Sequence, residues 1–207
     1  MRTDCRKGRS GRIQGRTMKD QDIRRALMRG LRTRYQGDPQ TLVLEELGLR
    51  HGSSRIDVAV VNGSLHGYEL KSDRDTLDRL PRQCTTYSAI FDHVTLVTGP
   101  RLAKPALEMV PEWWGIELAE PCASGEVGFS AIRNPGDNPA PDSLAIAKLL
   151  WRQEALALLV ELGQARGFLS KPRSHIYSKL AEVAEIGFLR YRVRDRLRNR
   201  ADWRSGA

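Results

Sequence analysis

The chain has 207 residues, 40% of them hydrophobic, and a formal net charge of +9. That length supports one good core, or one domain with a small appendage. No run of about 18 apolar residues is present to span a membrane, and no secretory leader is apparent, so membrane-embedded classes are set aside and a cytoplasmic protein is expected. Cys5, Cys84 and Cys122 are odd in number and lack metal-ligand spacing; they read as reduced thiols.

The charge is uneven. Residues 1–25 hold nine Lys/Arg against three acids, and residues 150–207 hold twelve against six, whereas residues 26–149 hold thirteen against sixteen. A mildly acidic middle between two basic flanks fits an enzyme core whose flanks hold a polyanion. The alternative is that the basic flanks are solvated surface.

Residues 1–17, rich in Arg and Gly, show no apolar period and read as a disordered basic tail. Met18, just before the first structured element, is an alternative start to Met1. A helix is predicted from Asp20 or Asp22 to about Tyr35, with Ile23, Leu27, Met28 and Leu31 as its buried stripe. Asp38-Pro39 reads as a cap and first-turn proline of a short helix through Leu42, Val43, Leu44 and Leu47 that stops at Gly48. Glu45 and Glu46 lie near its end.

Two β-like runs follow in Arg55–Lys71, flanking Asn62-Gly63. Glu69 and Lys71 fall on one strand face because side chains alternate with period two. A three-residue loop, Asn62-Gly63-Ser64, pairs Val61 with Leu65 and sets Asp57 opposite Glu69; Gly63 would supply the left-handed residue. Charges on otherwise apolar strands are costly unless paired. Three of them aimed at one place point to a site that holds a cation and acts on a phosphate.

After Lys71, a helix with Pro81 in its first turn is predicted to about Phe91, with Gln83 and Tyr87 one turn apart. A strand over Val94–Thr98, a helix over Leu102–Val110 and a strand over Ile116–Ala119 come next, with an edge strand near Glu126–Ile132. Trp113 and Trp114 read as packing residues. Residues 134–142 form a Pro/Asn/Asp-rich linker. Beyond it helices are predicted over Ser143–Leu162, Lys171–Glu185 and Ile186–Arg200. The expected organisation is therefore a tail (1–17), a core (18–133), the linker and a basic helical region (143–207). In the last helix Leu189, Val193 and Leu197 make one stripe, and Arg190, Arg194 and Arg198 are among the arginines available for phosphate contacts.

Asp57 followed by Glu69-Leu70-Lys71 resembles the D…ExK signature of the PD-(D/E)XK nuclease superfamily. Glu46, or Glu45, resembles its upstream acid, and Gln83-Cys84-Thr85-Thr86-Tyr87 is similar to the Q-x-x-x-Y element of RecB-like members. Ile56 stands where the superfamily's name has proline. G-Y-E-L-K-S-D, R-L-P-R-Q and the basic tail look like an uncharacterised bacterial family within that superfamily. The resemblance implies an α/β fold: a small mixed sheet flanked by helices, restriction-endonuclease-like, with an all-α C-terminal appendage. It also admits a homodimer.

The expected activity is Mg²⁺-dependent hydrolysis of phosphodiester bonds in DNA, probed as an endonuclease, with Mn²⁺ able to substitute and RNA kept open as a substrate. Asp57 and Glu69, helped by the Leu70 carbonyl, would hold the ion, and Lys71 would orient the attacking water. Glu46 and Gln83 complete the expected catalytic set. Tyr87, Arg55, Arg190, Arg194 and Arg198 are the expected substrate contacts. The alternative is a nuclease-fold DNA-binding module without turnover.

Overall fold

The computed structural model describes residues 18–49 and 52–200. The tail expected over residues 1–17 and the end of the C-terminal region lie outside the described residues.

The first predicted helix forms as α1 (Asp20–Arg34), burying Ile23, Leu27, Met28 and Leu31. The next segment departs from expectation. Leu42–Leu49 is a strand, β1, and not a short helix. Asp38 caps nothing helical: its carboxylate accepts the Gln40 N–H at 2.9 Å and the Thr41 hydroxyl at 2.6 Å, closing a turn. The Leu42-Val43-Leu44 run then pairs antiparallel with β2 (Ser54–Val61), from Leu42↔Val61 to Leu49↔Ser54. A short apolar run suits helix or strand equally, and the available partner decides it.

The remaining strands are β3 (Leu65–Lys71), β4 (His93–Thr98), β5 (Gly115–Pro121) and β6 (Val127–Arg133), with α2 (Leu80–Ser88) and α3 (Pro100–Met109) between β3, β4 and β5. All six make one sheet in sequence order. The outer joints are antiparallel, while β3–β4–β5 are parallel and need the crossover helices. The β2–β3 loop has the predicted register, Val61↔Leu65, but the pairing ends at Val58↔Tyr68, so the expected pair of Asp57 opposite Glu69 is not part of the ladder. Gly63 is not left-handed, however; the turn is held by the Asn62 side-chain oxygen, which accepts the Ser64 N–H at 3.0 Å.

One sheet face carries α1, packed on Val58, Val60, Tyr68, Leu70 and Val97. The other carries the larger core, which takes in α2, α3 and the C-terminal helices α4 (Ser143–Ala147), α5 (Arg152–Glu161), α6 (Arg173–Val183) and α7 (Ile186–Asn199). The single helix expected over 143–162 is broken after α4, because the Trp151 N–H is capped by Glu154 at 2.7 Å and starts α5 afresh. Gly163, at φ 69°, ends α5 as expected. Residues 134–142 have no regular structure but are pinned to the core, with the Asn138 amide donating to the Ser88 and Phe91 carbonyls at 2.6 and 2.8 Å. Trp114 is fully buried against the Tyr87 ring, as a packing residue should be. Cys84 is a free, buried thiol. Cys122 is disulfide-bonded, which departs from the expectation of three reduced thiols. Among the described residues, no helix is long and apolar enough to cross a membrane. The architecture is thus α/β: a mixed six-stranded sheet flanked by helices, with a helical C-terminal region.

The buried Asp92 ties these layers together. It accepts the Leu65 N–H at 2.6 Å and pairs with Arg190 and with Arg194 (3.1 Å) on α7. Asp92→Ala leaves two partly buried guanidinium groups and one buried N–H without their acceptor. It should cost about 3–5 kcal/mol in denaturant unfolding, and a loss under 1 kcal/mol would contradict this account.

Candidate functional site

Between β2 and β3 the ladder runs only from Val61↔Leu65 to Val58↔Tyr68. Beyond it β2 stays with β1 as far as Ser54, and β3 stays with β4 as far as Lys71, so the sheet opens between them. A second irregularity coincides with this opening. Ile56 and Ala59 belong to one core layer, as do Leu44 and Leu47, although strict alternation puts residues three apart on opposite faces. Both strands therefore slip by one residue here. Glu46 absorbs the slip in β1 with φ 54°, a left-handed conformation that costs a non-glycine residue about 1–3 kcal/mol.

Asp57 occupies the gap. Its Oδ2 accepts the Leu70 N–H at 2.8 Å, so a side chain replaces the backbone acceptor that a closed ladder would have offered. Its Oδ1 is 2.6 Å from the Arg24 guanidinium of α1. In a paired strand a residue's N–H and C=O share one edge, so the Leu70 carbonyl faces the same gap.

Glu69 and Lys71 share a face, as period two requires, and form an ion pair at 2.8 Å with each side chain 4% exposed. The Gln83 amide donates to Glu69 Oε1 at 2.5 Å, and the Tyr87 hydroxyl lies 2.7 Å from Glu69 Oε2. That hydroxyl is also 2.7 Å from the Arg55 carbonyl, and its one proton serves one acceptor at a time. Burial, and after it the negative charge of Asp57, push the Glu69 carboxyl above the ordinary glutamate range, against the pull of Lys71 and Tyr87. Burial and the Glu69 charge likewise raise the Tyr87 hydroxyl, so it stays a donor. Gln83 Oε1 is buried with no hydrogen-bond partner among the described residues.

Asp57, Glu69, Gln83, Glu46 and Arg55 line one open cleft of about 420 Å³. Glu46 reaches it from β1, not from the helix expected, and its half-exposed carboxylate pairs with Arg55 at 2.6 Å. Among the described residues no three His, Cys, Asp or Glu side chains gather as a metal-holding group. Arg190, Arg194 and Arg198 stand apart from the cleft: the first two hold Asp92, and Arg198 donates to the Gln40 carbonyl at 3.1 Å. Sequence reasoning missed three residues here. Arg24 lies 33 positions from the acid it meets, and no local spacing announces that pair. Arg79, the N-cap of α2, and Arg82 in its first turn line the cleft; their spacing with Gln83 was the available signal.

Fold and cleft together define a mixed α/β protein with a buried carboxylate–ammonium site at a splayed strand pair. The chain belongs to the bacteriophage P4 protein cII family, whose model matches residues 14–205. Protein cII of Enterobacteria phage P4 is 30% identical over 99 residues, which span 48% of this chain and 37% of that relative's length. A solved structure of a protein of unknown function from Silicibacter pomeroyi aligns over 76% of this chain and all of its own, at 18% identity and a TM-score of 0.44.

The raised Glu69 carboxyl sets a pH dependence. The folded protein holds that proton more tightly than the unfolded chain does. The stability tied to it is therefore complete below pH 4.5 and is lost as pH rises through the folded-state value. In metal-free buffer, denaturant unfolding should show Glu69→Gln gaining stability relative to wild type as pH rises from that point. A gap moving the other way would mean that Lys71, and not burial, dominates this carboxyl.

Proposed function

We propose that the cleft is the active site of a divalent-metal-dependent phosphodiesterase that acts on DNA, and that the chain is a distant PD-(D/E)XK nuclease with a restriction-endonuclease-like core. The observation carrying this reading is the splayed hairpin: Asp57 and Glu69 line the cleft where the sheet opens, and Lys71 pairs with Glu69, in the chain order the D…ExK pattern requires.

The donor set fits a hard cation. Asp57 and Glu69 supply carboxylate oxygens, the Leu70 carbonyl faces the same gap, and Gln83 Oε1 is an acceptor without a partner. Mg²⁺ is commonly held by one or two carboxylates with several waters retained. When bound, Mg²⁺ or Mn²⁺ supplies Lewis acidity and neutralises charge on the scissile phosphate. In this reading Lys71, which pairs with Glu69, orients the attacking water and offsets charge on the phosphate oxygens. Gln83 and Tyr87 hold the Glu69 carboxylate in one orientation. Arg55 stands at the mouth.

A second reading, a DNA-binding module without turnover, is favoured by one contact. The Arg24 guanidinium already neutralises Asp57. The two readings separate on metal binding: under the first, MgCl₂ raises the wild-type melting temperature and Asp57→Asn abolishes the rise.

The deciding experiment incubates single-stranded, duplex and branched DNA, and RNA, with Mg²⁺ or Mn²⁺. Wild type should cleave at least one form. Asp57→Ala and Lys71→Ala should each lose about 100-fold or more of the rate, the scale on which positioned catalytic groups act. Cleavage undiminished in both variants would mean that the site is misassigned.

A further inference from the structure

We infer that Arg79, the N-cap residue of α2, and Arg82, in its first turn, form a clamp for the phosphodiester backbone of a nucleic-acid strand at the mouth of the cleft. This deepens the proposed function by naming the contact that binds substrate, and it rests on the cleft being a nucleic-acid site but not on turnover there.

Arg79 caps α2 with helical dihedrals, so Arg79, Arg82 and Gln83, spaced i, i+3 and i+4, stand on one side of its N-terminal end. Gln83 reaches inward to Glu69, while Arg79 and Arg82 line the same cleft and are exposed. Neither arginine meets a carboxylate within the salt-bridge distance among the described residues. Four of the five arginines of α7 differ in this respect: Arg190 and Arg194 are bound to Asp92, Arg192 to Glu161, and Arg198 lies 3.9 Å from Asp195, while Arg196 is only partly exposed and its Nε is buried. Basic residues whose charge is already matched have little left for a polyanion. Arg79 and Arg82 keep theirs.

The floor of the cleft does not repel such a ligand. Asp57 is matched by Arg24 and Glu69 by Lys71, and Glu46 by Arg55. What remains facing solvent is a pair of planar guanidinium groups suited to bidentate phosphate contacts. A phosphate gripped there would lie in the same cleft as Asp57 and Glu69. Contacts of this kind carry no base information, so the clamp binds strands of different sequence alike.

The test measures binding and not cleavage. The full chain is titrated into short fluorescein-labelled single-stranded and duplex oligonucleotides in EDTA, following anisotropy over a series of salt concentrations. Arg79→Gln/Arg82→Gln should weaken binding by about tenfold or more, equally across sequences, and flatten the plot of log affinity against log salt by about one unit per arginine. Arg79→Glu/Arg82→Glu should bind more weakly still. Arg192→Gln, on the Glu161 pair, should match wild type. No wild-type binding, a double variant that binds with the wild-type affinity and slope, or an equal loss in Arg192→Gln overturns the clamp. Binding with the predicted losses, in a chain that cleaves nothing, upholds the clamp and removes only the hydrolase reading.

Discussion

The parting of β2 from β3 beyond Val58 and Tyr68 is the constraint on which the site depends. Buried backbone N–H groups must find acceptors. Where the ladder stops, the Leu70 N–H finds the Asp57 carboxylate. The acid is thus anchored by the same demand that builds the sheet. On the other side β3 remains bonded to β4, so Glu69 and Lys71 stay on a rigid strand while the gap opens beside them. The slip in β1, taken up by the left-handed Glu46, bends that strand where the cleft needs a wall.

Burying two carboxylates near one another is unfavourable, and the surrounding groups show how the cost is offset. Each acid has one cation, Arg24 for Asp57 and Lys71 for Glu69, and Glu69 has hydrogen bonds besides. Such a cluster is poor evidence for stability, because apolar residues of similar volume commonly do as well. A cluster so assembled holds charged oxygens in fixed places at the wall of an open cleft.

Local periodicity made α1 legible in the sequence, since Ile23, Leu27, Met28 and Leu31 repeat at helical spacing. Parity did the same for the hairpin, fixing the Val61↔Leu65 register and the shared face of Glu69 and Lys71. Where both structures suit a segment, as in Leu42–Leu49, only the tertiary partner decides, and it chose a strand. The site's long-range pairs were illegible for the same reason. Arg24 and Asp57 are 33 positions apart, and Asp92 and Arg194 are 102. The break between α4 and α5 turned on one side chain, Glu154, that reads equally well as an ordinary helix residue.

Net charge alone does not say which arginines are already matched by acids, and the reason is structural. Arginine is dense in the last helix, but in α7 Arg190 and Arg194 meet Asp92 of the core and Arg192 meets Glu161 of a neighbouring helix. Through Asp92 this helix reaches the Leu65 N–H, the first link of β3. The other end of β3 carries Glu69 and Lys71. The basic helix therefore supports the strand on which the site stands, and the family match over residues 14–205 takes in sheet and helices together. A helical layer bonded by buried charge to the strand that carries Glu69 and Lys71 is part of the scaffold of the cleft, whatever else it meets.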